Sequence, residues 1–373
     1  MKKAIPGALA ALLAAAVALP LAAAPSATAV PARQGDSRSH GHDGRHQHRP
    51  AVPFTRAQVT AAPTENGTFT LTWSAEGVRR VTIEAAGRVV ARGGATGTAV
   101  VTGLPAADRR WFTFRADRGE PLRLADRLVR LEGTANLRDA GGYRTADGRW
   151  VRMGEVYRSD ALDKLTDADR ATLRRLGIAT VFDLRMRDER EKAPDRVPAG
   201  AEYVVADVFA GSGSFQVLPR TPEEAVAAMV TAERAMVGGE GGRKAYTRVF
   251  EGIRRTADPR DGRAVLFHCT AGKDRTGWAG AALLTALGVP ADTVMADYLA
   301  SNDYRKAANE AVLGHLPPQQ AAVYKPLLDV RPEYLDAGHD ELATRFGSFP
   351  AYLKALSVDG HDLRHLQRDL LTD

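Results

Sequence analysis

A cysteine and an arginine with five residues between them lie in a loop that could bind and transfer a phosphoryl group. Cys269 and Arg275 follow an apolar run at residues 265–267 and precede an alanine-rich stretch that continues to about Leu287. A loop of this length between a strand and a helix can direct successive amides at one centre, where the helix dipole also favours an anion. The same field favours the thiolate, so we expect the pKa of Cys269 to lie below the free value of about 8.5. The planar fork of Arg275 can hold two phosphate oxygens.

Two other interpretations fit the loop less well. A buried structural cysteine is common, but it does not account for the glycines and the basic run that follow. A Walker-type nucleotide loop needs serine or threonine after its Gly-Lys pair, whereas Asp274 follows that pair in this chain. We therefore predict a cysteine nucleophile beside a phosphate site, with these phosphate-binding candidates: His268, Thr270, Ala271, Gly272 and Lys273.

The composition is that of an ordinary soluble globular protein. The chain has 373 residues, 44% hydrophobic and 26% charged, with a formal net charge of +6 and a pI of about 9.5. The positive charge is spread along the chain without a basic stripe interleaved with aromatic residues, so we expect no nucleic-acid partner. With 1 cysteine the chain cannot form an internal disulfide.

Residues 1–29 have the pattern of a Sec-type signal peptide. Two lysines precede an apolar run at residues 4–24, and residues 27–29 form the expected cleavage site. The alternative is a retained membrane anchor. We expect a secreted protein with no stable membrane insertion after cleavage. Residues 30–50 are a linker rich in Gly, Ser and His, to which we assign no metal because nothing around its histidines could fix a coordination geometry.

Short alternating segments between residues 51 and 131 predict a small antiparallel β-sandwich. Residues 68–73 and 111–114 alternate apolar with polar side chains, and Gly-containing turns separate such segments. The module is similar to a fibronectin type III-like domain in architecture only. It holds no cluster of titratable residues, so we interpret it as a spacer or a substrate-orienting domain without chemistry.

Residues 132–373 alternate strands with helices, which predicts an α/β fold with a parallel-rich sheet and helices on both faces. The strand at residues 265–267 would be central, with the loop at its carboxyl end, where open sheets bind ligands. A helix over residues 222–236 is either a mobile flap over the site or an ordinary packing helix. Other predicted strands are 179–184 and 203–208, and other predicted helices are 167–176, 292–300, 318–328 and 332–346.

Four motifs in this second part of the chain recur together in one known family. They are Asn-Leu-Arg-Asp-x-Gly-Gly from Asn136, Asp-Leu-Arg from Asp183 with Glu189 shortly after, His-Cys-x5-Arg-Thr from His268, and Asp-Tyr-Leu-Ala-Ser-Asn from Asp297. This combination resembles the cysteine-dependent, secreted bacterial tyrosine phosphatases of the atypical, multi-specific type, which accept phosphotyrosine and also phosphoinositides. The resemblance covers roughly residue 131 to the C-terminus. We expect a phosphoprotein or phosphoinositide substrate and no cofactor.

The resemblance implies roles for the loop residues. Cys269 would attack phosphorus and form a phosphocysteine that water hydrolyses, while Arg275 and the amides hold the non-bridging oxygens. Thr276 would donate its hydroxyl to the sulfur, or it is an ordinary threonine at a helix start. Lys273 would suit a substrate with extra phosphates, or it is a solvated lysine. Asp274 would tune the site or transfer a proton, or it caps the helix.

Three carboxyl groups are candidates for the proton donor to the leaving group. Asp207, at the end of a predicted strand, is the first choice, and Asp274 and Asp183 are the alternatives. Asp183 could instead be a structural carboxylate at a strand end. The loop after Asp207 lacks an aspartate that the resemblance leads us to expect slightly later. Arg138 and Asp139 are expected to brace the loop as a buried ion pair.

Two rival functions come from different classes. One is a non-catalytic secreted phosphate- or phospholipid-binding protein, and the intact Cys269, Arg275 and Thr276 argue against it, because a binding protein does not need a thiolate. The other is a phosphatase specific for inositol phosphates, which pocket depth would distinguish.

Overall fold

The structure is a computed structural model that describes residues 51–62, 67–211 and 218–372. The predicted signal peptide and linker lie outside the described residues. No helix in this described part of the chain is long and apolar enough to span a membrane.

The N-terminal module consists of seven strands in two antiparallel sheets, which pack around one core. Apolar side chains alternate with polar ones along the strands, and Phe54 and Phe114 meet across the core with ring centroids 5.9 Å apart. The strands are β1 Phe54–Ala61, β2 Phe69–Ala75, β3 Val81–Ala85, β4 Arg88–Gly93, β5 Thr96–Val101, β6 Trp111–Ala116 and β7 Leu122–Ala125. One sheet has the order β1-β2-β5 and the other β4-β3-β6-β7.

A third sheet, of five strands, forms the centre of a mixed α/β fold, as predicted. Its strands are β8 Arg138–Asp139, β9 Val156–Ser159, β10 Ile178–Asp183, β11 Glu202–Val205 and β12 Ala264–His268. The order is β11-β10-β12-β9-β8, with β8 antiparallel and the other four parallel. Every residue of β9 and β12 is buried, as expected for parallel strands covered on both faces. The prediction that the strand before the loop is central is confirmed.

The prediction of a parallel strand over residues 203–208 is confirmed in part, but its burial and its predicted end are wrong. The strand β11 ends at Val205 and lies at the edge of the sheet, where Tyr203 is 41% exposed and Val205 36% exposed. Tyrosine and valine suit a half-exposed strand as well as a buried one, so their β-propensity does not distinguish the two. Asp207 consequently lies in the loop beyond the strand.

Ten helices in the described residues surround this sheet and extend to the C-terminus. They are α1 Asp167–Arg175, α2 Arg187–Lys192, α3 Pro222–Gly238, α4 Glu240–Thr256, α5 Arg275–Ala286, α6 Ala291–Gly314, α7 Pro318–Leu328, α8 Pro332–Phe346, α9 Phe349–Ala355 and α10 Gly360–Leu370. The predicted end of α1 is confirmed by Gly177, whose φ of +81° closes the helix. The helix α6 continues well past its predicted end at residue 300. The helices α2 and α4 were not predicted, because α2 is short and almost wholly charged and α4 has a glycine pair in its first turn. The residues of α9 and α10 were predicted only as a terminal helical stretch without bounds.

The helix α3 packs inside the helical layer rather than over an open site. It contacts α8 and α7 along most of its length. Its inward face buries Met229, Ala232, Glu233 and Met236. This packing agrees with the second of the two interpretations of the segment, an ordinary packing helix.

The sandwich is joined to the α/β part by buried contacts. Trp150 belongs to the sandwich core and donates its indole N–H to the carbonyl of Phe54 at 3.1 Å. On the sandwich side, Nη1 of Arg109 lies 2.5 Å from Oδ2 of Asp139 and donates to Oη of Tyr157 at 2.8 Å. Tyr157 is part of β9, directly beside the central strand. The sandwich is therefore docked on the sheet, and it is more than a tethered spacer.

Candidate active site

The loop that carries the cysteine connects the central strand β12 to α5. Cys269 follows the last residue of the strand and is 1% exposed. Gly272 has a φ of +68°, and a Cβ atom there would lie 2.5 Å from the carbonyl oxygen of Ser159. Only glycine combines this left-handed backbone with such a close approach, so the residue fixes the path of the loop.

Three side chains hold the outer face of the loop through its carbonyl groups. Asn136 donates to the carbonyls of Ala271 and Gly272 at 3.1 and 3.0 Å. Arg158 donates to Gly272 at 3.1 Å, and Arg305 donates to Ala271 at 3.2 Å. All three donors lie outside the loop, so they fix its curvature from that side.

The amide groups of the loop point the other way. Because a planar trans peptide directs its N–H opposite to its C=O, the amides of Gly272 and Lys273 face the inside of the loop. Among the described residues, no protein acceptor pairs with the amides of residues 270–273. The loop therefore presents several unused N–H donors at the start of a helix, as an anion site requires.

The guanidinium of Arg275 is held in place by a buried glutamate on α2. Nη1 and Nη2 of Arg275 lie 2.6 and 2.9 Å from the two carboxylate oxygens of Glu189. Thr270 Oγ1 donates to the same carboxylate, and Glu189 also accepts from the amide of Met186 at 2.8 Å. Burial would raise the pKa of Glu189, but the charge and hydrogen bonds of Arg275 hold that pKa at about 2. This bidentate pair fixes both the position and the rotation of the arginine.

His268 lies directly before the cysteine, between its carbonyl group and a buried carboxylate. Its Nδ1 lies 3.3 Å from the carbonyl oxygen of Cys269, and its Nε2 lies 3.0 Å from Oδ2 of Asp195. The second contact has the distance of an ion pair without the angle of a hydrogen bond. Burial lowers the pKa of His268, but Asp195 and Asp183 raise it further, to about 9. These contacts, with the Cys269 carbonyl and Asp195, tie the histidine to the start of the loop.

Asp183 is wrong as a candidate proton donor, because the structure fixes it as a buried anion. Its carboxylate accepts from Nε and Nη2 of Arg185 at 2.9 and 2.7 Å, and from Oη of Tyr203 at 2.6 Å. Burial would raise the pKa of Asp183, but His268 and Arg185 hold it well below the ordinary value. It also accepts from the amide of Arg185 at 2.9 Å, in keeping with a structural carboxylate at a strand end.

Asp207, the first choice for the proton donor, is a partly buried carboxyl group beside an arginine. It lies in the loop after β11, partly accessible, and its Oδ1 accepts from the amide of Phe209 at 3.0 Å. Its Oδ2 lies 3.3 Å from Nη1 of Arg190. Burial raises the pKa of Asp207 more than Arg190 and Arg275 lower it. The ring of Phe209, two residues on, lies 5.9 Å from the guanidinium carbon of Arg275, so this loop reaches the phosphate site.

Lys273 and Asp274 bind each other instead of solvent or the helix end. Lys273 is 2% exposed, and its Nζ donates to Oδ1 of Asp274 at 2.8 Å and to the carbonyl of Asp329 at 3.2 Å. The alternative of a solvated lysine is wrong. Asp274 occupies the N-cap position of α5, but its side chain makes no capping hydrogen bond, so the capping alternative is wrong as well.

Thr276 lies in the first turn of α5, one residue after Arg275. Its side chain is buried, and its Oγ1 has no hydrogen-bond partner among the described residues. A buried hydroxyl without a partner is costly, and such groups are often retained for a functional contact. The hydroxyl is free to donate to an acceptor inside the loop.

The expected ion pair between Arg138 and Asp139 does not form. Successive residues on a strand point to opposite faces, so the two side chains diverge. Arg138 lies 3.3 Å from Asp297 and contacts the side-chain oxygen of Asn136, through which it supports the loop. Asp139 instead pairs with Arg109 of the sandwich.

Sequence reasoning did not assign roles to the braces of the loop. Asn136, Arg158, Glu189 and Arg305 are far apart in the chain, and only the fold brings them together around residues 270–275. One signal was available, because Arg158 ends a strand beside the central one, and the carboxyl ends of parallel strands meet at one edge.

Comparisons with known proteins agree with this geometry. The model of the tyrosine phosphatase family matches residues 129–372. A Cupriavidus necator protein named as a tyrosine-protein phosphatase is 39% identical over 235 residues, which cover 62% of this chain and 84% of that protein. The triple specificity protein phosphatase PtpB of Mycobacterium tuberculosis is 32% identical over 277 residues, which cover 65% of this chain and 98% of that protein.

Among solved structures, a human tyrosine phosphatase-like serine/threonine/tyrosine-interacting protein aligns at a TM-score of 0.29 with 13% identity, over 51% of this chain and 91% of that chain. The family match covers well over half of the chain and includes the loop, its braces and the helices that follow. The chain therefore belongs to the tyrosine phosphatase family.

Proposed function

We propose that the protein hydrolyses phosphotyrosine monoesters through a phosphocysteine formed on Cys269. One observation carries this proposal, namely that the unpaired amides of residues 270–273 and the clamped guanidinium of Arg275 surround the start of α5 next to the cysteine. This arrangement suits a phosphate dianion and favours the thiolate. It supports nucleophilic catalysis more than mere phosphate binding, which would not need a sulfur.

The reaction has two steps that use the same residues. In the first step the Cys269 sulfur forms a bond to phosphorus while the bond to the tyrosine oxygen breaks, and Asp207 gives its proton to that oxygen. In the second step water attacks phosphorus, its proton passes to the Asp207 carboxylate, and the sulfur–phosphorus bond breaks to release phosphate. Thr276 donates its free hydroxyl to the departing thiolate, and Arg275 and the amides hold the three equatorial oxygens throughout.

The test is hydrolysis of an aryl phosphate by the full-length protein and by Cys269→Ser. We expect the variant to lose turnover completely and to keep the thermal unfolding temperature of the wild type, because serine has nearly the same shape but is a far weaker nucleophile. Retained turnover would overturn the assignment of the nucleophile. A wild-type protein that binds phosphate tightly without turnover would instead support the rival phosphate-binding function.

The substrate range includes phosphoserine, phosphothreonine and phosphoinositides in this proposal. The name of the M. tuberculosis relative, triple specificity, supports a broad range, and the cationic Lys273 lies in the loop. However, that lysine is already paired, so a headgroup must displace Asp274 to bind it.

We expect Lys273→Ala to reduce phosphoinositide hydrolysis more than phosphotyrosine hydrolysis, measured in parallel. Equal losses would argue against headgroup recognition, and activity on soluble inositol phosphates alone would favour the second rival.

Two further proposals concern the rest of the chain. We propose that residues 1–29 direct export and that the mature protein is secreted, which N-terminal sequencing of the exported product tests. We also propose that the sandwich is fibronectin type III-like, and its three- and four-stranded sheets support this.

A further inference from the structure

The helix α3 carries a glutamate that contacts neither solvent nor a cation. Glu233 is 0% exposed, and it forms no ion pair within the described residues. Its Oε1 accepts a hydrogen bond from Oη of Tyr298 at 3.3 Å, and its Oε2 has no partner in the same part of the chain. An isolated carboxylate is unstable in such surroundings and takes up a proton. Burial and the charge of Asp274 raise the pKa of Glu233 well above its ordinary value.

This carboxyl group lies behind one corner of the phosphate loop. The ring of Tyr298 packs on the first turn of α5, where a Cβ atom at Gly277 would lie 2.7 Å from it. The charges of Asp274, Lys273 and Cys269 all act on Glu233. The pair of Glu233 and Tyr298 therefore supports the helix start that faces the phosphate.

An additional negative charge at this position would oppose the reaction. The Lys273 ammonium is already held by Asp274 and by the carbonyl of Asp329, and an ionised Glu233 would compete for it. It would also disfavour the thiolate and the bound phosphate dianion, because like charges repel strongly in a buried site. A neutral carboxyl group fills the same space without these effects.

We propose that Glu233 is a positioning residue of the phosphatase that supports the phosphate loop through Tyr298 as a neutral carboxylic acid, and that its ionisation stops turnover. The proposal rests on the proposed function, since it concerns the same loop. It assigns a role to a buried acid that the two chemical steps do not use.

The titratable groups that act on Glu233 come from the phosphate loop, α4 and α6. The loop contributes Cys269, Lys273 and Asp274, α4 contributes Tyr246, and α6 contributes Tyr298, on which Tyr334 of α8 acts in turn. Charged residues of α7, α8 and the turns beside them form ion pairs nearer the surface, namely Lys325 with Asp329, Arg331 with Glu333, Glu341 with Arg345, and Asp340 with Arg234 of α3. His339 of α8 lies near Asp336 and Asp340 of the same helix. None of these pairs includes Glu233.

The first arm of the test measures thermal stability against pH for the wild type and Glu233→Gln. The folded pKa of Glu233 is raised, so the wild type binds more protons when folded and loses stability as pH rises above the unfolded value of about 4.3. Glutamine keeps the shape and cannot ionise. We expect the two proteins to melt similarly at about pH 5 and the variant to be the more stable at about pH 9. Glu223→Gln, at an exposed position on the same helix, is the control and should behave as the wild type.

The second arm measures kcat/KM against pH with an aryl phosphate whose leaving group needs no proton. We expect Glu233→Gln to keep wild-type activity within about threefold at pH 6 and to remain active at alkaline pH where the wild type declines. Glu233→Asp keeps an ionisable carboxyl group, but its shorter side chain is less able to reach Tyr298. We expect this variant to have a lower kcat and the same fall of kcat/KM at alkaline pH as the wild type. A wild-type rate that does not fall at alkaline pH would contradict the proposal. A decline that is unchanged in Glu233→Gln would assign it to His268 and overturn the proposal as well.

The third arm does not depend on activity. Infrared difference spectra between the wild type and Glu233→Gln should show the loss of one protonated carboxyl band at neutral pH. The absence of that band, with a carboxylate band in its place, would sink the proposal while leaving the proposed function intact. Failure of the Cys269→Ser test would remove the function and leave the spectrum unaffected.

Discussion

At the scale of single residues, the account depends on Arg275 being held in one orientation by Glu189. The pair is buried and bidentate, and Thr270 shares the same carboxylate. A guanidinium with this support loses little entropy when phosphate binds, because its rotation is already fixed.

Glu189→Gln should therefore lower kcat/KM without removing the nucleophile. An amide offers a single acceptor and no charge, so Arg275 loses its alignment, and misplacement of a catalytic group costs about 10²-fold in rate. Steady-state kinetics with an aryl phosphate measure the loss. Glu191→Gln is the control on the same helix, since that residue is exposed and its ion pair is with Arg187. Equal activity of both variants would contradict a role for the clamp.

The same pair predicts how stability responds to acid. The pKa of Glu189 is about 2 in the folded protein and about 4.3 in the unfolded chain. The pair therefore adds to the free energy of unfolding above about pH 4.3, and this contribution is lost as the pH falls toward 2. Thermal melts of the wild type between about pH 5 and pH 2 should show a loss that is smaller in Glu189→Gln. Parallel curves for the two proteins would refute the assignment.

Asp207→Asn should harm substrates with poor leaving groups most. Burial raises the pKa of Asp207 above its ordinary value, which favours the protonated form that a general acid needs. A general acid contributes about 10²–10⁴-fold when the leaving group is basic. The ratio of kcat/KM for a phenyl phosphate to that for a nitrophenyl phosphate measures this effect. An unchanged ratio would move the acid to Asp274.

The sequence predicts the residues that touch phosphate better than those that support them. Cys269 and Arg275 lie in one continuous motif whose spacing is visible, whereas Glu189 reaches the loop only through the packing of α2. Burial likewise cannot be read from residue type, which is why Lys273 was open to interpretation as a solvated side chain.

At the scale of elements, the phosphate loop is shaped from outside by the segment around β8 and β9. Asn136 satisfies two loop carbonyls at once, and these bonds leave the inward amides free. The element that presents the anion site is thus built by strands that precede it by more than a hundred residues.

Asn136→Ala should reduce both stability and activity. Loss of the buried hydrogen bonds costs about 1–3 kcal/mol, and the freed loop should raise KM and lower kcat. Thr256→Ala is the control, because that buried hydroxyl makes a hydrogen bond of 3.2 Å with the hydroxyl of Thr180 and none with the loop among the described residues. Chemical denaturation and kinetics of the two variants should show similar destabilisation with loss of activity only in Asn136→Ala. A comparable loss of activity in both would mean that the loop responds to global stability alone.

Elements with clear periodicity or end signals could be predicted from sequence. Gly177 marks the end of α1, and prolines mark the starts of α7 and α8. The edge position of β11 could not be predicted, because strand order arises from pairing between distant segments and no local pattern encodes it.

At the scale of the whole molecule, the sandwich and the catalytic sheet share a buried ion pair. Arg109 contacts Asp139 and Tyr157, and its guanidinium also stacks 4.5 Å from the ring of Trp111. The region that the family model matches begins at residue 129, so this sandwich lies outside it. Docking through β8 and β9 places it directly behind the strands that brace the phosphate loop.

Arg109→Ala should destabilise the full chain by about 3–5 kcal/mol, because it leaves the Asp139 carboxylate buried without its partner. Arg175→Ala is the control, since its pair with Asp108 also joins the two parts but is exposed and worth at most about 1 kcal/mol. Denaturant unfolding followed by fluorescence measures both. Equal, small effects would show that the two parts fold and act independently.

The interpretation of the sandwich as a spacer followed from its lack of titratable clusters. Its strands were predictable from alternation alone. Its docking was not, because Arg109 looks like any surface arginine in the sequence, and only the fold brings Asp139 to it.

The most direct test of the whole account is a rapid acid quench of the enzyme with a ³²P-labelled phosphotyrosine peptide, followed by mapping of the labelled fragment. We predict a covalent label on Cys269 that forms and decays at rates compatible with turnover, and none in Cys269→Ser. A label on another residue, or full turnover with no labelled enzyme, would contradict the central claim.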